Sequence, residues 1–234
     1  MEEVWPGLRA EDLVIVAHEL KSPLATIRQL ALLSEEGVPD LWPAALHESD
    51  RALKLVNDLT LLARLRPDRD GAGQTTLPLS PLNPRALCEE VAHELKPQFY
   101  ASCRNLCTHF NPRVGLVWGE PRLFRSVVAN LCQNALHYSD ASHPSQLFIR
   151  PKGDRVLVGV RDYGPRLPAP VWRAINAGSS SPTAISRRPG SSGLGIFVAA
   201  QFARAMGASL GARQHSDGVS LWIDLAGSKQ GSLW

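Results

Sequence analysis

A chain of 234 residues holds one large domain or two modest ones, each with its own hydrophobic core. Hydrophobic residues make up 44% and charged residues 20%, which excludes wholesale disorder, and the formal charge of +3 is spread without a basic run, so no nucleic acid or membrane surface is implied as a partner. No apolar stretch approaches the roughly 20 residues needed to span a bilayer, and the start lacks a signal-peptide pattern, so no transmembrane segment is expected in this chain.

The first third reads as helix. Leu13, Val16, Leu20, Leu24, Ile27 and Ala31 recur at three- and four-residue steps along one face. Glu36-Gly37-Val38-Pro39-Asp40 breaks the pattern, with Asp40 placed to cap a second helix. Trp42, Leu46, Ser49, Leu53, Val56, Leu59 and Ala63 then repeat it. So short a connection implies antiparallel helices. A lone hairpin cannot bury both sides of its apolar stripe. It either pairs with a second copy in a four-helix bundle or packs on the rest of its own chain.

Arg66-Pro67-Asp68-Arg69-Asp70-Gly71-Ala72-Gly73 is rich in breakers and charge and reads as a linker, giving domains at 1–66 and 77–234 with 67–76 between them. Beyond it the texture is α+β. Helices are expected over 84–100, with Asn83 as cap and proline at the first helical position, over 121–138 and over 194–206. Strands are expected over 114–118, 147–149, 155–160, 209–212 and 219–224. The span 179–192, poor in apolar residues and rich in Ser, Arg, Pro and Gly, reads as a loop. Cys88, Cys103, Cys107 and Cys132 form no CxxC pair, and no histidine follows at zinc-finger spacing. They are expected as reduced thiols, which implies a reducing compartment.

Four stretches carry candidate chemistry. Val16-Ala17-His18-Glu19-Leu20-Lys21-Ser22-Pro23-Leu24 sets a histidine on the first helix. An imidazole with a reference pKa of about 6.5 is largely neutral at pH 7 and so can attack phosphorus, while a nearby carboxylate can take its proton. Ser22 shares the face of His18, and Pro23 removes a backbone donor and should bend the helix. This stretch resembles the H-box of sensor histidine kinases. The run 119–139 places Asn130 and Asn134 one turn apart, followed by His137 and Tyr138, and is similar to the N-box of the same family. Val158-Gly159-Val160-Arg161-Asp162-Tyr163-Gly164-Pro165 resembles the G1 box, although Arg166 stands where a second glycine is usual. Gly190-Ser191-Ser192-Gly193-Leu194-Gly195-Ile196 matches the G2 box, whose glycines let backbone N–H groups surround phosphate at a helix start. A phenylalanine-centred box between the two glycine boxes is poorly matched, and Trp172 is the nearest aromatic.

The resemblance spans nearly the whole chain and implies a fold. A helical-hairpin dimerisation domain, a four-helix bundle as a homodimer through residues 8–66, precedes an α/β sandwich ATP-binding domain of the Bergerat type. It implies autophosphorylation of His18 from ATP and transfer of the phosphate to an aspartate in the receiver domain of a response regulator. Glu19 is then the general base, and Ser22 helps place a water. Asn134 contacts Mg²⁺ with Asn130 beside it, and His137 and Tyr138 flank the nucleotide. Asp162 accepts the adenine amino group, Gly164 lets backbone approach the ring, and Ser191, Ser192, Gly193, Leu194 and Gly195 hold phosphate. The span 179–192 becomes an ATP lid. The alternative is a kinase-like dimeric scaffold with weak or no ATP turnover, favoured by Arg166, His137 and the poor phenylalanine box. A gyrase-type ATPase would leave the H-box unexplained. A cytoplasmic location is expected, and the sensor module is expected to lie outside this chain.

Overall fold

A computed structural model describes residues 10–36, 38, 40–65, 78–178 and 194–228. The linker 67–76, the lid 179–192 and the expected phosphate-binding residues Ser191, Ser192 and Gly193 lie outside the described residues. The described chain divides into two units, the first within residues 1–75 and the second from residue 76 onward.

The first unit is a helical hairpin of α1 (Ala10–Glu35) and α2 (Trp42–Arg64). Helix α1 runs through Pro23, whose ring is buried. Asp40 does not cap α2. It takes a left-handed conformation (φ 59°), which aspartate tolerates in a turn, and Leu41 occupies the cap position with no side-chain bond to the first turn. The apolar stripe read along α2 is divided. Leu59 and Ala63 are half-covered, together with Ala45, Leu55 and Leu62, and Ala52 is buried. Trp42, Leu46, Leu53 and Val56 are exposed, as are Leu24 and Leu32 of α1, with Trp42 at 76% and Leu53 at 58%. The hairpin thus covers one apolar face and leaves a second open.

The second unit is an α/β sandwich. After β1 (Ser80–Leu82) come α3 (Pro84–Ala101), β2 (Leu106–Phe110), β3 (Val117–Gly119), α4 (Pro121–Tyr138), β4 (Ser145–Lys152) and β5 (Arg155–Asp162). The chain continues through α5 (Ala169–Asn176), α6 (Leu194–Ala205), β6 (Ser209–His215) and β7 (Gly218–Ala226). The main sheet runs β2-β4-β5-β7-β6; β2 and β4 are parallel and the other neighbours antiparallel, while β1 and β3 form a separate antiparallel pair.

Strand alternation and helix periodicity build one core. Leu147, Ile149, Val158, Val160, Leu221 and Ile223 point from alternate positions of β4, β5 and β7 and are essentially dry. Cys88, Val91, Leu95 and Phe99 of α3, Phe124, Val127 and Leu131 of α4, and Phe197 and Phe202 of α6 fill the helical side. Burial of each such side chain contributes about 1.5–3 kcal/mol. On the opposite face of the sheet Trp222 lies across from Gly159 on β5 and Gly211 on β6. A Cβ at Gly211 would come within 2.7 Å of the indole Cε2, so the missing side chain makes room for the ring.

Local chemistry fixes the element ends. Asn83 caps α3 as expected, its Oδ1 accepting from the N–H of Arg85 (3.0 Å) and Ala86 (3.2 Å). Glu120, buried at 7% exposure, caps α4 through the Leu123 N–H at 2.8 Å. The strand expected at 114–118 begins at Val117 instead, because Asn111 turns the preceding chain: its side chain accepts from the Arg113 N–H (2.9 Å) and its carbonyl from the Val114 N–H (3.3 Å). The remaining strands run longer than the sequence pattern implies, and β1, β2 and α5 are additions to it.

Candidate nucleotide and phosphoacceptor sites

His18 projects from α1 as an exposed side chain. Glu19, half-buried beside it, faces α2, with Oε2 3.9 Å from Nη2 of Arg51, which also lies 3.8 Å from Glu48. Arg51 is mostly in water, so this contact orients the carboxylate while contributing well under ~1 kcal/mol. Ser22 is exposed, and its carbonyl accepts the Thr26 hydroxyl at 3.2 Å.

In the second unit α4 carries both asparagines. Asn130 is 6% exposed, with Nδ2 3.4 Å from the Ser126 hydroxyl. Its Oδ1 lies 3.5 Å from where a Cβ on Gly195 would stand, so the start of α6 rests against this amide. One turn on, Asn134 Nδ2 is buried without a hydrogen-bond partner among the described residues. A buried amide left so costs about 1–3 kcal/mol unless something else meets it. His137 is exposed and Tyr138 half-buried, their rings edge-on at 4.7 Å between centroids. Leu194 is buried at the head of α6.

Asp162 ends β5 at 2% exposure. Its Oδ1 accepts the Gly164 N–H at 3.0 Å and the Val219 N–H of β7 at 3.3 Å. Gly164 has a reason of its own: a Cβ there would sit 2.1 Å from the Tyr138 carbonyl oxygen, an approach only glycine permits. The close backbone contact is therefore with the end of α4. Gly218 obeys the same rule, since its φ is 150° and a Cβ would meet the Asp162 carbonyl at 2.2 Å.

Two residues given no role in the sequence reading, Ser139 and Arg161, help hold this frame. Ser139 joins the end of α4 to Tyr163, beside Asp162. Arg161 donates to the carbonyls of Asp162 and Val219 and to Asp217, and its guanidinium lies 4.5 Å over the Tyr163 ring. Arg166, at the position of the absent glycine, donates from Nε to the His215 carbonyl at 3.2 Å, tying the segment after the G1 stretch to β6. Burial and the neighbouring Arg161 and Arg213 depress the His215 imidazole below its ordinary value. Trp172 lies on α5, where its carbonyl accepts from Asn176 at 3.1 Å. Signals were present, since Ser139 closes the N-box run and Arg161 immediately precedes Asp162. Neither residue type announces a partner so distant in sequence.

Residues 13–68 match the His Kinase A (phospho-acceptor) domain, and residues 119–228 match the histidine kinase-, DNA gyrase B-, and HSP90-like ATPase family. A phospho-acceptor hairpin followed by an ATPase-type sandwich defines the class. Sensor protein SphS of Synechococcus elongatus is 31% identical over 93% of this chain and 54% of its own length. Sensor protein kinase PmrB of Pseudomonas aeruginosa is 28% identical over 96% of this chain and 47% of its own. The chain thus spans about half the length of these two relatives. Histidine kinase AdeS of Acinetobacter baumannii shares the fold with a TM-score of 0.63 at 16% identity, over 91% of this chain and 98% of that structure. The chain therefore carries a His Kinase A phospho-acceptor domain followed by a histidine kinase-type ATPase domain, and these relatives are sensor kinases.

Proposed function

We propose that this chain is a catalytic core that phosphorylates its own His18 from ATP and passes the phosphoryl group to an aspartate in the receiver domain of a response regulator. The observation that carries the reading is the buried amide of Asn134, without a partner among the described residues and one turn from Asn130, at the place where α4 meets the start of α6. A bound phosphate oxygen is the kind of acceptor that would satisfy such a buried donor. The unmet Nδ2 would donate to a phosphate oxygen, while the amide oxygen of the same side chain is a hard ligand suited to Mg²⁺, which takes its remaining ligands from water and phosphate. Asn134 would hold the ion, which supplies neutralisation of phosphate charge.

In the transfer, a neutral ring nitrogen of His18 forms a bond to the γ-phosphorus as the bond to the ADP oxygen breaks. The proton on the other ring nitrogen goes to the Glu19 carboxylate. The exposure of His18 supports access from outside the hairpin. Asp162 receives the adenine amino group, Gly164 keeps the end of β5 against α4, and His137 and Tyr138 flank the nucleotide. Leu194 and Gly195, with Ser191, Ser192 and Gly193, hold the phosphates at the head of α6. The open apolar face of Leu24, Leu32, Leu46, Leu53 and Val56 supports a homodimer through the hairpin. The division into 1–66, 67–76 and 77–234 is part of this reading. Among the described residues no helix is long and apolar enough to cross a membrane, and work at the cytoplasmic side is proposed on chemical grounds, because ATP is the phosphoryl donor.

Incubation with [γ-³²P]ATP and Mg²⁺ tests the reading. The chain should take up label that is stable in base and lost in acid, and His18→Gln should abolish it. Acid-labile label persisting in that variant removes His18 from the mechanism, and no label in the wild type favours the scaffold.

A further inference from the structure

Ser139 is not among the residues assigned to the nucleotide, yet at 3% exposure it is a node between distant segments. Its N–H donates to the Ala135 carbonyl at 2.8 Å, closing α4. Its carbonyl accepts Arg104 Nε at 3.0 Å. Its hydroxyl oxygen accepts the Tyr163 N–H at 3.2 Å and the Ser145 hydroxyl at 3.0 Å. The next residue answers in the opposite direction, the Asp140 N–H donating to the Tyr163 carbonyl at 3.0 Å. On one side of this junction stand Asn130 and Asn134, fixed by the rigidity of α4. On the other stands Asp162, one residue before Tyr163.

We infer that Ser139 is a positioning residue whose hydroxyl, by holding the Tyr163 N–H, sets the distance between the two asparagine amides and the Asp162 carboxylate so that one nucleotide reaches both. The inference rests on the proposed function, in which those groups serve the two ends of ATP. Two opposing contacts define the distance. The end of β5 can approach α4 only until Gly164 meets the Tyr138 carbonyl, where even a Cβ would lie at 2.1 Å. Its recession is restrained by the Ser139 hydroxyl's bond to the Tyr163 N–H, which acts together with the Asp140 N–H bond to the Tyr163 carbonyl. Because the group is dry, no water replaces that hydroxyl when it is removed.

Ser145 supplies an internal comparison. It is 1% exposed and belongs to the same cluster, but its loss leaves Ser139 able to accept from Tyr163. Titration of the full chain with Mg²⁺ and the ATP analogue AMPPNP should give an approximately tenfold weaker Kd for Ser139→Ala, equivalent to about 1.4 kcal/mol. Ser145→Ala should bind within about twofold of wild type, while the two variants show similar falls in thermal midpoint. Equal affinities in wild type and Ser139→Ala, or equal weakening in both variants, overturns the inference and leaves the proposed function standing. A wild-type chain that takes up no nucleotide overturns both. If Ser139→Ala does not fold, amide exchange at Tyr163 of the wild type decides. Protection should rise when AMPPNP is added, and an unchanged rate overturns the inference.

Discussion

The side-chain amide of Asn176 pairs with both backbone groups of Ala212: Nδ2 donates to its carbonyl at 3.1 Å and Oδ1 accepts its N–H at 3.1 Å. Ala212 lies on β6, an edge strand of the main sheet, so α5 satisfies with one side chain what another strand would otherwise satisfy. Gln214 extends the cover by donating to the Leu167 carbonyl at 3.2 Å. Asn176→Ala should lower unfolding stability by about 1–3 kcal/mol and make the protein self-associate with rising concentration. Urea titration and light scattering measure the two effects, and a variant as stable and monodisperse as wild type refutes the role.

The glycines of the nucleotide region should divide sharply. Gly164→Ala forces a Cβ into the Tyr138 carbonyl and should destabilise the fold by more than about 2 kcal/mol. At Gly195 the nearest atom to a Cβ is Asn130 Oδ1 at 3.5 Å, an ordinary contact. Gly195→Ala should therefore unfold within a few degrees of wild type, a difference that differential scanning fluorimetry resolves.

Asp224 gives a pH test with a definite sign. Burial alone would raise its carboxyl, but hydrogen bonds from Lys152, at 2.6 Å, and from Arg155 outweigh it and hold the group below the usual carboxylate value. A depressed folded-state pKa stabilises the protein above the unfolded value of about 3.9, and the gain is lost as pH falls through the folded value. Asp224→Asn should cost about 1–2 kcal/mol at pH 7, with the exposure of Lys152 reducing the figure from that of a fully buried pair. The gap between wild type and variant should narrow as pH falls below about 4. Urea midpoints at pH 7 and pH 3 check it, and a gap that widens toward acid contradicts the assignment.

The four cysteines are free thiols. They should alkylate in an order set by exposure and burial. Cys103 is exposed and reacts first. Cys107 is second, its thiol raised by partial burial and in contact with the Ser145 carbonyl at 3.4 Å. Burial pushes Cys132 up to about 12 and also raises Cys88 well above an ordinary thiol, so both should react only when the domain unfolds. Mass spectrometry after iodoacetamide at pH 8 reads the order, and early modification of Cys132 would contradict the packing of α3 on α4.

The open face of the hairpin should govern association. Leu46→Glu and Leu53→Glu place charge on exposed apolar positions. Each should shift the chain from dimer to monomer in light scattering without loss of helical circular dichroism. Retention of the dimer by both variants would show that this face is not the interface.

The helices α1, α2, α3, α4 and α6 were legible in the sequence because their apolar residues recur at one-turn spacing and because Asn83-Pro84 marks a start. Strand β2 was not. Its sequence Leu-Cys-Thr-His-Phe sits at a sheet edge with polar groups on both sides of the alternation, so no hydrophobic period identifies it. Strand β1 is three residues long and contains Pro81, and α5 spans eight residues opened by proline. Such elements persist through tertiary contacts that local propensity does not encode. The resemblance of their stretches proposes Asn130, Asn134, Asp162 and Gly164 as site residues, and the structure sets them on α4 and at and just beyond the end of β5. The dependence of Gly164 on Tyr138, and of Tyr163 on Ser139, arises only when α4 and β5 are folded side by side.

The strand nearest the C-terminus, β7, is inserted between β5 and β6, and its Val219 N–H is one of the donors that fix the Asp162 carboxylate. Asp162 at the end of β5 therefore gains this hydrogen bond only after a strand 57 residues further along the chain has paired beside it. Nascent chains halted before residue 219 would lack that donor. On the proposed function, capture of the adenine ring thus waits on a long-range strand pairing, which is slower to form than the local helices around it.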